Sequence, residues 1–174
     1  MLRSFPFVDA VAEGEGEDAL PELVRRHLAG ETVSGIPGLH VRNASGDGDR
    51  VGPAGAEARP ADLDRLPWPD FDDYFTRLAD GPLRGAFAPR LPFETSRGCW
   101  WGAKSRCSFC GQASKDMAFR VKSSEPALRE LETLTRRHPS CPVFVTDEIV
   151  PPGHLKDFFP ALRARIPDVE IVYL

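Results

Sequence analysis

The sequence predicts an α/β fold, because short apolar runs with β-branched or aromatic residues alternate with amphipathic helical stretches along the chain. Near the amino terminus, an apolar run is followed by a glycine-rich turn and a helical pattern. In the second half, apolar runs at residues 91–93, 142–146 and 169–174 are separated by helical patterns. Strand–helix alternation implies parallel strands with right-handed crossovers, so we expect a (β/α) barrel or an open sheet.

The first half contains one predicted α/β unit and a linker. A strand is expected over residues 5–12, and a helix over residues 18–29 has acids in its first turn and ends before Gly30. The acidic glycine turn between them would repel a pyrophosphate, which argues against dinucleotide binding. A linker begins at residue 40, is rich in Gly, Asp, Ala and Pro, and contains a short helix over residues 70–78.

The second half begins with the strand at residues 91–93. A brief extended piece is expected over residues 117–121, and a helix capped by Ser123 runs to residue 138. After the strand at 142–146, a helix is predicted over residues 154–165, in which Pro160 is expected to cause a kink.

Composition limits the classes of function. A chain of 174 residues with a net charge of −4 can form an ordinary domain and argues weakly against a nucleic-acid surface. No apolar run approaches the length of a membrane span, and the amino terminus does not resemble a signal peptide. We therefore expect a cytoplasmic protein without nucleic-acid or membrane partners, in a compartment where thiols stay reduced.

Three of the four cysteines lie on one loop after the strand at 91–93. Cys99, Cys107 and Cys110 have the spacing C-x7-C-x2-C, and glycines flank them. We call residues 98–111 the cysteine loop. It leaves the carboxyl end of a strand, where α/β proteins build their sites.

Three thiolates on one loop allow three readings. They could hold a [4Fe–4S] cluster and leave one iron open, or form a zinc site completed by Cys141, His138 or His27, or be unrelated free thiols. A disulfide framework is not expected in this composition. Phe109 before the last cysteine and the lack of a second C-x2-C pair favour iron–sulfur. A non-catalytic zinc-binding module remains the alternative.

The residues Cys99, Cys107, Phe109 and Cys110 resemble the cluster loop of the radical S-adenosylmethionine (SAM) superfamily. That loop usually reads C-x3-C-x-aromatic-C, whereas seven residues separate the first two cysteines here. A branch of the superfamily has the longer spacing. The stretch 94–111, with its Cys-Trp-Trp-Gly start, resembles the radical SAM C-methyltransferases of peptide (RiPP) maturation, within the cobalamin-dependent branch.

The resemblance implies roles for several residues. The three loop cysteines would bind three irons, and the fourth iron would take the amino and carboxylate groups of SAM. Phe109 would pack near the adenine. Asp147 and Glu148, at the end of a predicted strand, would accept hydrogen bonds from the SAM ammonium, although they could equally be ordinary turn acids.

The resemblance also implies a domain organisation. Residues 1–39 would be the last α/β unit of a cobalamin-binding Rossmann-like domain, residues 40–88 a linker, and residues 89–174 the first part of a radical SAM (β/α) barrel. One α/β unit cannot enclose a corrin, so we expect this chain alone not to bind cobalamin tightly. Because three strands leave an open sheet edge, we also expect a fragment, and we expect it to be inactive alone because the later strands that would close the SAM pocket are missing.

The reaction implied by the resemblance is C-methylation of a ribosomally made precursor peptide. A [4Fe–4S] cluster would cleave SAM, methylcobalamin would supply the methyl group, and a reductant protein would supply electrons. The expected partners are therefore the precursor peptide and that reductant protein.

Overall fold

A computed structural model describes residues 1–2, 4–42, 48–50, 62–105, 107–110 and 118–173, with only the backbone for 48–50. The chain divides into two compact units, Met1–Ala61 and Asp62–Leu174. The predicted domain limits at residues 39 and 88 differ from this division, and the assignment of each stretch to a domain type stays a prediction. Among the described residues, no helix has the length and apolar character needed to cross a bilayer.

Within its described residues, the first unit combines one helix with a three-stranded antiparallel sheet in the order β1-β2-β3. Its elements are β1 Ala10–Ala12, α1 Gly16–Leu28, β2 Leu39–Arg42 and β3 Gly48–Arg50. Val11 faces His40 in the register of β1 with β2. The predicted α/β unit and its helix are therefore present, but β1 pairs antiparallel to a strand that falls mostly in the predicted linker.

Strand β1 is shorter than predicted because the residues before it turn instead of extending. The amide of Val8 donates to the carbonyl of Phe5 at 3.0 Å. The Arg42 guanidinium donates to the carbonyls of Leu2, Phe5 and Val8 at 2.6–2.8 Å. One charged side chain thus satisfies three carbonyls of the amino-terminal segment and fixes it in a turn.

The second unit is built on a parallel sheet in the order β4-β7-β8. These strands are β4 Leu91–Phe93, β7 Val143–Val145 and β8 Ile171–Val172. Helix α3, Ser124–Arg137, connects β4 to β7, and helix α4, Phe158–Arg165, connects β7 to β8. The mixed α/β fold and the parallel pairing of this unit are confirmed.

The core of this unit lies between the sheet and its helices. Leu128, Leu131 and Leu134 form the buried stripe of α3, and Val143 and Val145 alternate toward it from β7. Full burial of such a side chain contributes about 1.5–3 kcal/mol relative to exposure. The helical and strand periodicities visible in the sequence are the periodicities of this core.

Shorter elements complete the second unit. A pair of two-residue strands, β5 Ser96–Arg97 and β6 Arg120–Val121, is antiparallel. They are accompanied by helix α2, Asp72–Asp80, and by a 3₁₀ turn at Leu63–Arg65. The predicted short helix and extended piece are thus found, although Met117, where that piece was to begin, lies outside the described residues.

The predicted helix over 154–165 is divided. A 3₁₀ turn spans Pro152–Leu155, and α4 begins only at Phe158, so Pro160 is the third residue of the helix. Amides in the first turn of a helix have no acceptor within it, so a proline there breaks no bond. The kink expected at Pro160 is therefore wrong, because the helix begins later than predicted.

Candidate functional site

The candidate site lies where β4 and β7 end, which we call the carboxyl edge of the sheet. After β4, the chain forms β5 and reaches Gly98, whose φ of 77° is in the left-handed region that favours glycine. Cys99 follows directly. The cysteine loop therefore leaves the sheet through a turn that a side chain at residue 98 would strain.

The first part of the cysteine loop is compact. The amide of Ala103 donates to the Cys99 carbonyl at 2.9 Å, and the amide of Ser105 donates to the Trp101 carbonyl at 2.8 Å. The amide of Gly102 donates to Cys99 Sγ at 3.3 Å. Hydrogen bonds to sulfur tune the potential of iron–sulfur clusters. Cys99 Sγ is thus held by the backbone of its own loop.

Trp100 tethers the loop to the segment that follows β7. Its indole Nε1–H donates to the carbonyl of Val150 at 3.1 Å. Lys104 Nζ lies 5.8 Å from the Trp100 ring centroid, within range of a cation–π contact. Arg106, the other nearby cation, is outside the described residues.

Asp147 lies after β7, and the structure places its carboxylate against the residues that follow β4. Oδ1 accepts the amides of Thr95 at 2.7 Å and Ser96 at 3.0 Å, and Oδ2 accepts the Thr95 hydroxyl. Burial, together with the charge of Asp147, raises the pKa of Tyr173 to about 12. The ends of all three parallel strands therefore meet here.

The two other predicted cofactor contacts are accessible. Glu148 is exposed beside Asp147, and Phe109 is 91 % exposed between the last two loop cysteines. Both side chains are free to meet a ligand at the carboxyl edge. Their roles, like that of Asp147 toward a ligand, stay predictions.

A buried ion pair, which the sequence did not indicate, lies behind the loop. Lys122 Nζ is 2.8 Å from Glu130 Oε2, and both side chains are buried. Burial raises the pKa of Glu130 although the Lys122 hydrogen bond and charge lower it. Lys122 Nζ also lies 5.9 Å from the Phe93 ring centroid, and its backbone amide donates to the Thr95 carbonyl at 2.8 Å. The pair thus supports the strand from which the loop departs.

The three loop cysteines are unpaired thiols. Cys99 and Cys107 are half-buried and Cys110 is exposed, with its amide donating to the Cys107 carbonyl at 3.3 Å. Over the described ranges, the structure gathers no group of three Cys, His, Asp or Glu side chains close enough to hold a metal. Metal binding and local folding are coupled, so ligands can converge as the metal binds. Three thiols on one loop fit an iron–sulfur cluster chemically.

The fourth ligands considered for zinc are placed elsewhere. Cys141 precedes β7 and so lies at the opposite end of that strand from Asp147. His138 caps α3, stacks on Phe75 with centroids 4.3 Å apart, and faces Asp72 at 3.4 Å. His27 belongs to the first unit. The second unit therefore offers the loop cysteines neither Cys141 nor His138 at the carboxyl edge, and the zinc alternative is not supported.

Sequence comparison identifies curated relatives, although no protein-family model matches the chain. TokK of Streptomyces tokunonensis, a cobalamin-dependent radical SAM methyltransferase, is 32 % identical over 151 residues, covering 84 % of this chain and 20 % of TokK. The 2-(S-pantetheinyl)-carbapenam-3-carboxylate methyltransferase of Streptantibioticus cattleyicolor is 32 % identical over 133 residues, covering 73 % and 18 %. Both of these relatives are methyltransferases, whereas a third relative, from Cereibacter sphaeroides, is an anaerobic magnesium-protoporphyrin IX monomethyl ester cyclase.

Solved structures of cobalamin-dependent radical SAM enzymes have the same fold. OxsB, with cobalamin and SAM bound, matches with a TM-score of 0.66 at 23 % identity, over 93 % of this chain and 22 % of OxsB. TsrM from Kitasatospora setae matches with a TM-score of 0.61 at 20 % identity, over 96 % and 33 %. The chain spans about a fifth of the length of the curated relatives it matches.

The names of the relatives bear on the predicted peptide substrate. The named relatives include a carbapenam methyltransferase, and TsrM is described with a tryptophan substrate. These names do not indicate a ribosomal peptide. The assignment to peptide maturation therefore stays a prediction.

Proposed function

We propose that this chain provides the cluster-binding part of a cobalamin-dependent radical SAM methyltransferase. Cys99, Cys107 and Cys110 would hold a [4Fe–4S] cluster at the carboxyl edge. The observation that carries the proposal is the placement of three free thiols on one loop, directly after the first strand of a parallel sheet. The relatives named above, several times longer than this chain, support the same assignment.

When bound, the cluster supplies the electron that cleaves the sulfonium of SAM. The chain's own residues would position the reactants. The Gly102 amide donates to Cys99 Sγ and orients it, and the Trp100 tether fixes the loop beside β7. Phe109, exposed between two ligands, would pack on the adenine. Glu148, exposed at the same edge, would accept hydrogen bonds from the SAM ammonium.

The proposed reaction is methylation of a carbon atom, with cobalamin as the methyl carrier in a protein of the relatives' length. We propose a ribosomally made precursor peptide as the substrate, because the stretch 94–111 resembles the peptide-maturation enzymes, and a reductant protein as electron donor. The methyltransferase names of the relatives support the reaction class. Catalytic turnover is proposed for a protein of the relatives' length, because the three parallel strands described here form only part of a closed barrel.

The cluster can be tested in this chain. Anaerobic reconstitution with iron and sulfide should give about four irons and four sulfides per chain, because that is the composition of a [4Fe–4S] cluster. Cys107→Ala should abolish the brown colour. Cys141→Ala is the matched control and should retain it, because Cys141 lies at the other end of β7. Stoichiometric zinc without sulfide would contradict the proposal.

A further inference from the structure

We propose that Asp147 is a positioning residue that fixes the start of the cysteine loop, rather than a contact for SAM. The inference rests on the proposed function, because the loop it would position is the one assigned to the cluster. Its basis is the carboxylate clamp, defined as the three hydrogen bonds from Thr95 and Ser96 to Asp147.

The donors of the clamp occupy both carboxylate oxygens. Asp147 is only 8 % exposed, and Thr95 and Ser96 are buried. Hydrogen bonds to a charged group in a buried site are among the stronger ones in proteins. A bound ammonium would have to displace these donors or share the oxygens with them. Both oxygens of Asp147 therefore already accept hydrogen bonds from within the protein.

The clamp acts on the residue that leads into the loop. Thr95 is held at its amide and hydroxyl by Asp147, and at its carbonyl by the Lys122 amide at 2.8 Å. Cys99 is four residues further on, after the Gly98 turn. Because few torsions remain between a fixed Thr95 and Cys99, the position of the first cysteine depends on Asp147.

Glu148 provides the contrast. It adjoins Asp147 in sequence but is exposed, whereas Asp147 is buried. The two acids were predicted to share one role toward the SAM ammonium. The structure instead divides them into one acid that holds the protein and one that is accessible to a ligand.

Three variants separate these roles. Asp147→Ala removes all three acceptors. Asp147→Asn keeps one oxygen for the two amides and presents an NH₂ group to the Thr95 hydroxyl, which can accept. Glu148→Gln leaves the clamp intact and is the matched control. Circular dichroism of each variant checks that the chain is folded.

The first measurement is amide hydrogen exchange in the metal-free chain. Asp147→Ala should accelerate exchange at Thr95 and Ser96 about tenfold or more, because a hydrogen bond to a charged acceptor is lost. Asp147→Asn should restore most of the protection, and Glu148→Gln should not alter it. Should Asp147→Ala fail to fold, Asp147→Asn and Thr95→Val replace it, with Thr95→Val expected to accelerate exchange at Ser96 by a smaller factor.

The second measurement is made on reconstituted protein. Asp147→Ala should lose iron to a chelator several-fold faster than wild type, and Asp147→Asn should approach wild type. Glu148→Gln should keep its iron but weaken SAM binding about tenfold, read from the change that SAM makes in the spectrum of the reduced cluster.

Unchanged exchange at Thr95 and Ser96 in Asp147→Ala would overturn the clamp. The proposal would also be overturned if Asp147→Ala kept its iron normally but bound SAM as weakly as Glu148→Gln is expected to. Asp147 would then contact the ligand. A wild-type chain that assembles no cluster would instead refute the proposed function. The exchange result, which needs no metal, would still decide whether Asp147 fixes the loop.

Discussion

At the scale of single residues, the buried pair of Lys122 and Glu130 gives a stability prediction. Lys122→Met should lower the free energy of unfolding by about 3 kcal/mol, because it leaves Glu130 buried without its partner. Replacing both residues, as Lys122→Met with Glu130→Leu, should recover most of that loss. Denaturant titration measures both. Arg77→Met, which removes an exposed pair with Asp73, is the control and should change stability little.

The pH dependence of the same pair has a definite sign. Burial raises the pKa of Glu130 above its ordinary value of 4.5. The unfolded chain has the ordinary pKa and the folded chain has the raised one. Between the two, the folded chain keeps a proton that the unfolded chain releases, so the contribution of Glu130 to the free energy of unfolding falls as pH rises. Glu130→Gln should therefore gain stability relative to wild type as pH rises through that window. A pH-independent difference in urea unfolding would refute this.

At the scale of elements, α1 presents an unexpected surface. Leu20, Val24 and Leu28 are 48 %, 54 % and 80 % exposed, whereas Leu23 packs on the small core of the first unit. Leu28→Lys should change the free energy of unfolding by less than about 0.5 kcal/mol, because it buries nothing and places a cation in the last turn. Leu23→Ala should cost about 1–2 kcal/mol. Equal effects in a denaturant titration would contradict the structure.

The same elements show what a sequence can specify. The leucines of α3 and the alternating valines of β7 are local patterns, and they predicted a helix, a strand and a parallel sheet. Helical spacing also brings the apolar residues of α1 toward one face, but spacing alone does not say which of them the rest of the unit covers. The antiparallel pairing of β1 with β2 was missed because a four-residue strand at the start of a linker has almost no signature.

The candidate site divides in the same way. The cysteine spacing and the strand before it are local, so the loop was predicted with its position on the sheet. The clamp joins residues 51 and 52 positions apart, and the buried pair joins Lys122 to Glu130 across a helix start. Such contacts are created by the packing of the parallel strands and α3, and no local sequence pattern predicts them. Asp147 was therefore predicted as a site residue from its place after β7, whereas its hydrogen bonds to Thr95 and Ser96 were not predicted.

At the scale of the whole molecule, the first unit bears on cobalamin. Its described part has one helix and a small antiparallel sheet, too little to enclose a corrin ring. We expect hydroxocobalamin mixed with this chain to separate from it on gel filtration, as followed by visible absorbance. Bovine serum albumin, run in parallel, would correct for non-specific retention. Co-elution of one corrin per chain would contradict the expectation.

The position of Cys141 at the far end of β7 has a practical consequence. The chain has four cysteines, so Cys141→Ser leaves only the three of the loop. Any thiol reagent, fluorescent label or mass shift on that variant then reports on the loop alone. Stepwise alkylation should modify the exposed Cys110 before the half-buried Cys99 and Cys107. The order of labelling would thus report how the accessibility of each loop thiol changes as iron is added.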